Sequence, residues 1–154
     1  MRAICRNRTG RRDMNFTALK PLSPGTARGP IARLSAPLSL WGGLDLDDGT
    51  ICDVNHPQCG QSLSGKVLAM RAARGSSSSS SALVEAARRS VAPCAIILVR
   101  PDPILVIGSL VAADLYGIQI PIILVTDKQW ETLPSNGAAV VEASEETGRV
   151  RFLS

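Results

Sequence analysis

Three short apolar runs, each followed by a segment of different periodicity, constrain the fold more than any other feature of this sequence. The runs cover residues 66–70, 95–99 and 122–125, and each has the length of a buried strand. Helical segments lie between the runs and after the last one. Because a helical crossover joins parallel strands, this order predicts an α/β fold with a parallel or mixed sheet and helices packed on it.

Local signals mark where the predicted helices begin and end. After a run of six serines, small or apolar residues recur at helical spacing, at Leu83, Ala86, Ala87 and Ser90. A second helix is predicted over residues 104–116, entered through Pro101-Asp102-Pro103 and stopped by Gly117. Thr126 and Gln129 have the spacing of a capping box before a short third helix that Pro134 ends.

The first third of the chain is rich in glycine and turn-forming residues. Residues 21–29 are predicted as turns, residues 30–40 as one or two short strands, and residues 50–54 as another short strand. A closing hairpin is predicted around Thr147-Gly148. The glycine-rich first third favours a separate β layer, so the complete prediction is a β/β/α domain.

The composition fits one domain with an aliphatic core. The chain has 154 residues, of which 45 % are hydrophobic and 3 % aromatic, and this length suits a single domain. No apolar run approaches the roughly 20 residues of a membrane-spanning helix, so no membrane partner is predicted. The four cysteines form no C-x-x-C pair, which argues against a zinc site or a disulfide framework and favours a reducing cytoplasm.

The formal net charge of +4 is concentrated in arginines of the first dozen residues. The near-neutral remainder gives no support for nucleic-acid binding. The basic start has four open interpretations: a transit-like leader, a nucleic-acid-binding arm, a disordered extension, or translation that begins at Met14. We assign residues 1–16 to a basic, disordered extension and residues 17–154 to the domain.

The six serines, residues 76–81, are the chain's most unusual segment. By composition alone such a run is typical of a flexible linker. Here a strand precedes it closely and a helix follows without a spacer, which favours a strand-to-helix loop that ends as the helix N-cap. Hydroxyls and backbone N–H groups at a helix N-terminus suit a carboxylate or phosphate, and Arg71 and Arg74 add positive charge.

A free-standing serine hydrolase is not predicted. The chain lacks a Gly-x-Ser-x-Gly motif, and its one histidine, His56, cannot be assigned to a triad. A lone histidine is more often structural than catalytic, so both roles remain open for His56.

Several collinear motifs together resemble one family, the small subunit or swivel domain of aconitase X proteins. The resemblance spans about residues 17–142. It is carried by Pro37-Leu38-Ser39-Leu40-Trp41-Gly42-Gly43-Leu44-Asp45, Asp53-x-x-His56-Pro57-x-x-Gly60, Gly65-Lys66-Val67-Leu68, Arg74-Gly75-Ser76 and Pro101-Asp102-Pro103-Ile104.

The resemblance implies a swivelling β/β/α domain, similar to domain 4 of aconitase, that closes on a larger iron–sulfur subunit in a heterodimer. The cluster would belong to that partner, with no metal bound by this chain, and its iron would act as Lewis acid on the departing hydroxyl. A serine of this chain would serve the proton-transfer side. Ser76 is the first choice for this catalytic role, and Ser77 is the alternative.

The motifs also imply a set of substrate-binding residues: Gly42, Gly43, Asp53, His56, Arg74, Gly75 and Ser78. Asp53 would orient His56 by accepting a hydrogen bond from the imidazole on its carboxylate. Cys59 stands where many relatives have a polar or aromatic residue. Cys52 replaces a branched aliphatic residue and is interpreted as a small buried hydrophobe.

The function implied by the resemblance is that of a hydro-lyase subunit, inactive without its large subunit, that dehydrates a β-hydroxy carboxylate. The family is known for cis-3-hydroxy-L-proline dehydratase and phosphomevalonate dehydratase. Two alternatives remain: a non-catalytic anion-binding or regulatory module that uses the serine-rich helix N-terminus, and a pseudo-subunit that only stabilises its partner.

Overall fold

The computed structural model describes residues 15–153 of the chain, which form eight strands and four helices. In chain order they are β1 (Asn15–Thr17), β2 (Lys20–Ser23), β3 (Gly25–Arg33), α1 (Leu40–Gly43), β4 (Val67–Met70), α2 (Ser79–Arg88), β5 (Ala95–Leu98), α3 (Pro103–Tyr116), β6 (Ile122–Leu124), α4 (Asp127–Thr132), β7 (Ala138–Ala143) and β8 (Gly148–Leu153).

The strands form one mixed sheet in the order β1-β8-β7-β3-β4-β5-β6-β2. Strand β3 joins two parts of this sheet, because its first six residues pair antiparallel with β7 and its last three pair parallel with β4. Strands β4, β5 and β6 continue in parallel. The edge strands β1 and β2 are separated by only two residues of chain, so the two edges of the sheet lie close together.

Side chains alternate between two cores on the two faces of the parallel strands. In β4, Leu68 and Met70 belong to the core shared with α2 and α3. Val67 and Ala69 belong to the other core, which includes side chains of β7 and β8 and Trp130 of α4. The antiparallel strands therefore cover one face of the parallel strands and the two long helices cover the other, which confirms the predicted β/β/α fold.

The signals of the second half of the chain predicted its elements well. Asp102 Oδ1 accepts hydrogen bonds from the first backbone N–H groups of α3, and Gly117 ends this helix with φ of 66°. Thr126 and Gln129 form both hydrogen bonds of the predicted capping box. Helix α2 ends at Arg88, however, and Ser90 lies beyond it with φ of 61°, so its assignment to the helix is wrong.

The turns predicted over residues 21–29 are strands instead. Pro21 is tolerated because β2 is an edge strand, where a missing N–H costs little. Gly29 lies within β3, and this position requires glycine because the backbone of Gly65 approaches it closely. A Cβ at Gly29 would lie 2.4 Å from Gly65 O. The short strand predicted over residues 50–54 is also wrong, since Thr50 and Ile51 form only isolated bridges.

Most of the predicted basic extension, residues 1–16, lies outside the described residues, and so does Met14. Its last two residues, Asn15 and Phe16, belong to β1 and pair with β8. Across the described part of the chain, no helix has the length and apolar character needed to cross a membrane.

Candidate functional site

The serine run forms a tight turn that leads into α2 beyond the end of strand β4. Ser76 Oγ accepts a hydrogen bond from Ser78 N at 3.1 Å, and Ser76 O accepts one from Ser79 N at 3.1 Å. Ser77 O accepts hydrogen bonds from the backbone N and the hydroxyl of Ser80. The serines were expected to cap the helix. The Ser76 hydroxyl binds a backbone N–H of this turn, whereas the Ser78 side chain makes no cap.

Two residues at the ends of this turn fix its position against the preceding loop. Gly75 has φ of 105°, and a Cβ built on it would lie 2.1 Å from Ser39 Oγ, so only glycine fits here. Ser79 is 5 % exposed, and its hydroxyl accepts a hydrogen bond from Trp41 N at 3.3 Å. The serine loop and the loop around Trp41 are thereby held together.

Gly42 and Gly43 lie in an irregular turn. Although α1 is short and helical at its ends, Trp41 and Gly42 have non-helical backbone angles, with φ of 76° at Gly42. Cys52 donates to both glycines, from its N–H to Gly43 O at 2.9 Å and from its Sγ to Gly42 O at 3.5 Å. The side chain of Cys52 is exposed, so its interpretation as a buried hydrophobe is wrong.

Asp53 and Arg74 form an ion pair beside the serine loop. Arg74 Nη2 lies 3.2 Å from Asp53 Oδ2, while Asp53 Oδ1 accepts a hydrogen bond from Asn55 N at 2.9 Å. The Arg74 side chain is 62 % exposed and that of Asp53 is 19 % exposed. An exposed pair of this kind adds little to stability, and the guanidinium has further donors that face solvent.

His56 is buried, and the backbone occupies both of its ring nitrogens. Nδ1 accepts a hydrogen bond from Gln58 N at 3.0 Å, which leaves Nε2 to donate to Ala36 O at 3.0 Å. Both ring nitrogens are engaged by backbone groups and the Asp53 carboxylate binds Asn55 and Arg74, so the predicted hydrogen bond between the His56 ring and Asp53 is wrong. This geometry favours a structural role for His56, which ties its loop to the segment after β3.

Replacing His56 therefore tests structure against function. We expect His56→Ala to lower the free energy of unfolding by about 1–3 kcal/mol, because it leaves Ala36 O and Gln58 N without their partner. Chemical denaturation of this variant would measure the loss, with Asn55→Ala on the same loop as a control that should be nearly neutral. A variant as stable as the unchanged chain would contradict this structural role and leave the predicted binding role in place.

Arg71 points away from the serine loop, toward α4. It forms ion pairs with Asp127 and Glu131, and its guanidinium lies 5.4 Å from the centre of the Trp130 ring. A groove of about 480 Å³ runs between this helix and the segment after β3. Of the two arginines expected to add charge to the loop, only Arg74 lies beside it.

A model of the aconitase X swivel domain matches residues 17–151. The chain belongs to the aconitase X swivel-domain family. The phosphomevalonate dehydratase small subunit of Methanothermobacter thermautotrophicus is 33 % identical over 133 residues, which cover 85 % of this chain and 95 % of that protein. The crystal structure of Thermococcus kodakaraensis aconitase X in its holo form matches with a TM-score of 0.78 and 25 % identity, over 92 % of this chain and 99 % of that one.

A second kind of relative is much longer than this swivel domain. The cis-3-hydroxy-L-proline dehydratase of Pseudomonas aeruginosa is 40 % identical over 103 residues, which make up 67 % of this chain but 18 % of that protein. This chain thus corresponds to nearly the whole of some relatives and to under a fifth of others. Its relatives are named as dehydratases or as their small subunits.

Two contributors to this swivel domain's site were missed by sequence reasoning. Ser39 approaches Gly75, and Ser79 binds the backbone of Trp41. The serine run did not distinguish Ser79 from its neighbours, although its spacing from Leu83 and Ala86 places it on the buried face of α2. Among residues 15–153, no three His, Cys, Asp or Glu side chains are grouped so that they could hold a metal ion.

Proposed function

We propose that this chain is the small subunit of an aconitase X-type iron–sulfur hydro-lyase and supplies the serine loop to a site shared with a large subunit. The reaction is the loss of water from a β-hydroxy carboxylate such as cis-3-hydroxy-L-proline or mevalonate 5-phosphate, in the cytoplasm. The observation that carries this proposal is the exposed turn of residues 75–77, which lies between the loop around Trp41 and the Asp53–Arg74 pair, in a chain of this family.

Ser76 is the proposed catalytic base. Its hydroxyl oxygen accepts a hydrogen bond from Ser78 N and lies at the positive end of α2. Both features stabilise an alkoxide relative to the neutral hydroxyl. In the proposed step the Ser76 oxygen takes the proton from the carbon next to the substrate carboxylate, as hydroxide leaves the adjacent carbon and a double bond forms. Ser77 is the alternative base.

The substrate carboxylate is proposed to bind at the edge of this turn. Arg74 offers the guanidinium donors that Asp53 does not use, and Ser78 offers a hydroxyl that caps nothing. Gly42 is exposed and a Cβ there would meet nothing within 4 Å, so its backbone is open to close approach. Gly43 is buried against Leu38 and Gly75 packs against Ser39, so these two glycines are proposed to position the turns rather than to contact substrate. His56 is proposed to stabilise the loop that carries Asp53 rather than to contact substrate.

The iron–sulfur cluster is proposed to belong to the large subunit. The residues described for this chain do not fit such a group, because Cys52, Cys59 and Cys94 belong to no cluster of three or more His, Cys, Asp or Glu side chains that could hold a metal ion. We therefore assign this chain the proton-transfer and substrate-binding groups only, and we place the ligands of the cluster on the partner.

The isolated chain should bind substrate weakly if its site is only half formed. Isothermal titration of the isolated chain with cis-3-hydroxy-L-proline, mevalonate 5-phosphate and inorganic phosphate is expected to give dissociation constants weaker than about 1 mM. The reason is that three N–H groups at the N-terminus of α2 already bind Ser76 and Ser77. Micromolar binding of any of these anions by the isolated chain would favour a self-sufficient anion-binding module over the shared site.

A further inference from the structure

The loop that carries Asp53 begins and ends with a cysteine. Ile51 N donates to Gln61 O at 2.9 Å, and Gly60 N donates to Ile51 O at 2.7 Å. With φ of 90° at Gly60, this pattern is a β-bulge that closes the loop. Cys52 and Cys59 are the next residue on each side of the closing hydrogen bond.

The closing hydrogen bond determines how far apart these two cysteines lie. In trans peptides, the Cα of Cys52 lies on the same side as Ile51 O, and the Cα of Cys59 lies on the same side as Gly60 N–H. Residues that flank such a bond across two antiparallel segments have Cα atoms about 4.5–5.5 Å apart. A disulfide needs about 4.4–6.8 Å between Cα atoms, and this range includes the spacing expected for two residues that flank such a hydrogen bond.

The environments of the two thiols differ. Both cysteines are exposed. Partial desolvation of the Cys52 thiol by neighbouring atoms raises its pKa, with smaller contributions from the charges of Asp45, Cys59 and Asp53. The Cys52 thiol also donates to Gly42 O, whereas Cys59 Sγ has no such bond within residues 15–153. Cys59 is therefore the better placed to react first with a reagent from solvent.

We propose that Cys52 and Cys59 form a reversible disulfide by exchange with a low-molecular-weight disulfide of the glutathione type. The Cys59 thiolate attacks one sulfur of the reagent and releases one glutathione thiolate. After losing its proton to solvent, Cys52 attacks the Cys59 sulfur of the mixed disulfide and releases the second glutathione. Two protein thiols are oxidised, and one reagent disulfide is reduced to two thiols.

The disulfide would change the contacts of two parts of the candidate site, the Gly42–Gly43 turn and the Asp53–Arg74 pair. It removes the hydrogen of Cys52 Sγ, and with it the hydrogen bond to Gly42 O. The Cys52 backbone also binds Gly43 O, and its neighbour Asp53 holds Arg74, so a change at this position reaches both sides of the site. Oxidation of the two cysteines does not depend on the proposed dehydration.

Peptide mapping of the full-length chain after equilibration with glutathione disulfide tests the proposal. Cys5→Ser serves as the background, because Cys5 lies outside the described residues. The expected product is a cross-link between the peptides of Cys52 and Cys59, formed without enzymes and fully reversed by dithiothreitol. Amide spectra should show reversible shifts at Gly42 and Gly43, which oxidation elsewhere would not produce.

Single variants in the same background separate the two steps. Cys52→Ser should stop at a glutathione adduct on Cys59, and Cys94→Ala, a control for a half-buried thiol, should cross-link like the background. The proposal is overturned if the unchanged pair stays reduced, if Cys59 keeps a stable glutathione adduct while Cys52 is present, or if the cross-link joins Cys94.

Discussion

Ser76→Ala is expected to lower the turnover of the assembled enzyme about 10²–10⁴-fold, the usual contribution of a positioned acid–base group. The substitution removes the hydroxyl oxygen that accepts a hydrogen bond from Ser78 N, and this oxygen is the proposed base. The KM should change much less, because Arg74 and the glycine turns stay in place. Steady-state kinetics of the complex with its large subunit, using cis-3-hydroxy-L-proline and mevalonate 5-phosphate, would measure both constants.

Two further serines of the run serve as matched comparisons. Ser81→Ala changes an exposed residue inside α2 and should leave turnover unchanged. Ser77→Ala should have a small effect if Ser76 is the base. Full activity of Ser76→Ala together with inactive Ser77→Ala would transfer the role to Ser77, and full activity of both variants would refute a serine base in this loop.

Gly75→Ala is expected to be the most damaging small substitution at the site. The new methyl group would meet Ser39 Oγ and would sit on a residue with φ of 105°. The strain alone costs about 1–3 kcal/mol. Relief of the contact requires the turn to move, and a displacement of about 1 Å at a reacting group typically costs about 10²-fold in rate. The thermal denaturation temperature and the turnover should therefore both fall.

A second glycine separates backbone strain from the contact with Ser39. Gly117 also has positive φ, but a Cβ there would meet nothing within 4 Å. Gly117→Ala should thus cost about 1 kcal/mol of stability and leave turnover unchanged. The double variant Ser39→Gly/Gly75→Ala should recover part of the activity that Gly75→Ala loses. Equal turnover in Gly75→Ala and the unchanged chain would show that the position of this turn is unimportant.

The sequence predicted those parts of the fold that depend on local chemistry. The capping box at Thr126 and the stop at Gly117 act within a few residues, so both could be recognised directly. Strands β2 and the start of β3 were missed because their pairing depends on distant partners. Pro21 lies on an edge, and Gly29 is required by the approach of Gly65, neither of which is visible in the local sequence.

The proximity of several candidate residues was predictable from the sequence, but their contacts were less so. Motifs placed Asp53, Arg74 and the serine loop in one site, and the structure brings these residues together. The same motifs suggested that Asp53 orients His56, whereas the ring binds backbone groups on both sides. Which partner a polar side chain selects depends on loops that meet only in the folded chain, and sequence spacing does not encode that choice.

We expect dehydration to require this chain and a large aconitase X subunit together. The direct measurement is the rate of water loss from cis-3-hydroxy-L-proline and mevalonate 5-phosphate with each subunit alone and with the two mixed. We predict no activity for either subunit alone, and activity that rises with added chain until the two are equimolar. Dehydration by the isolated chain, or full activity of the large subunit without it, would show that the site is not shared between the two subunits.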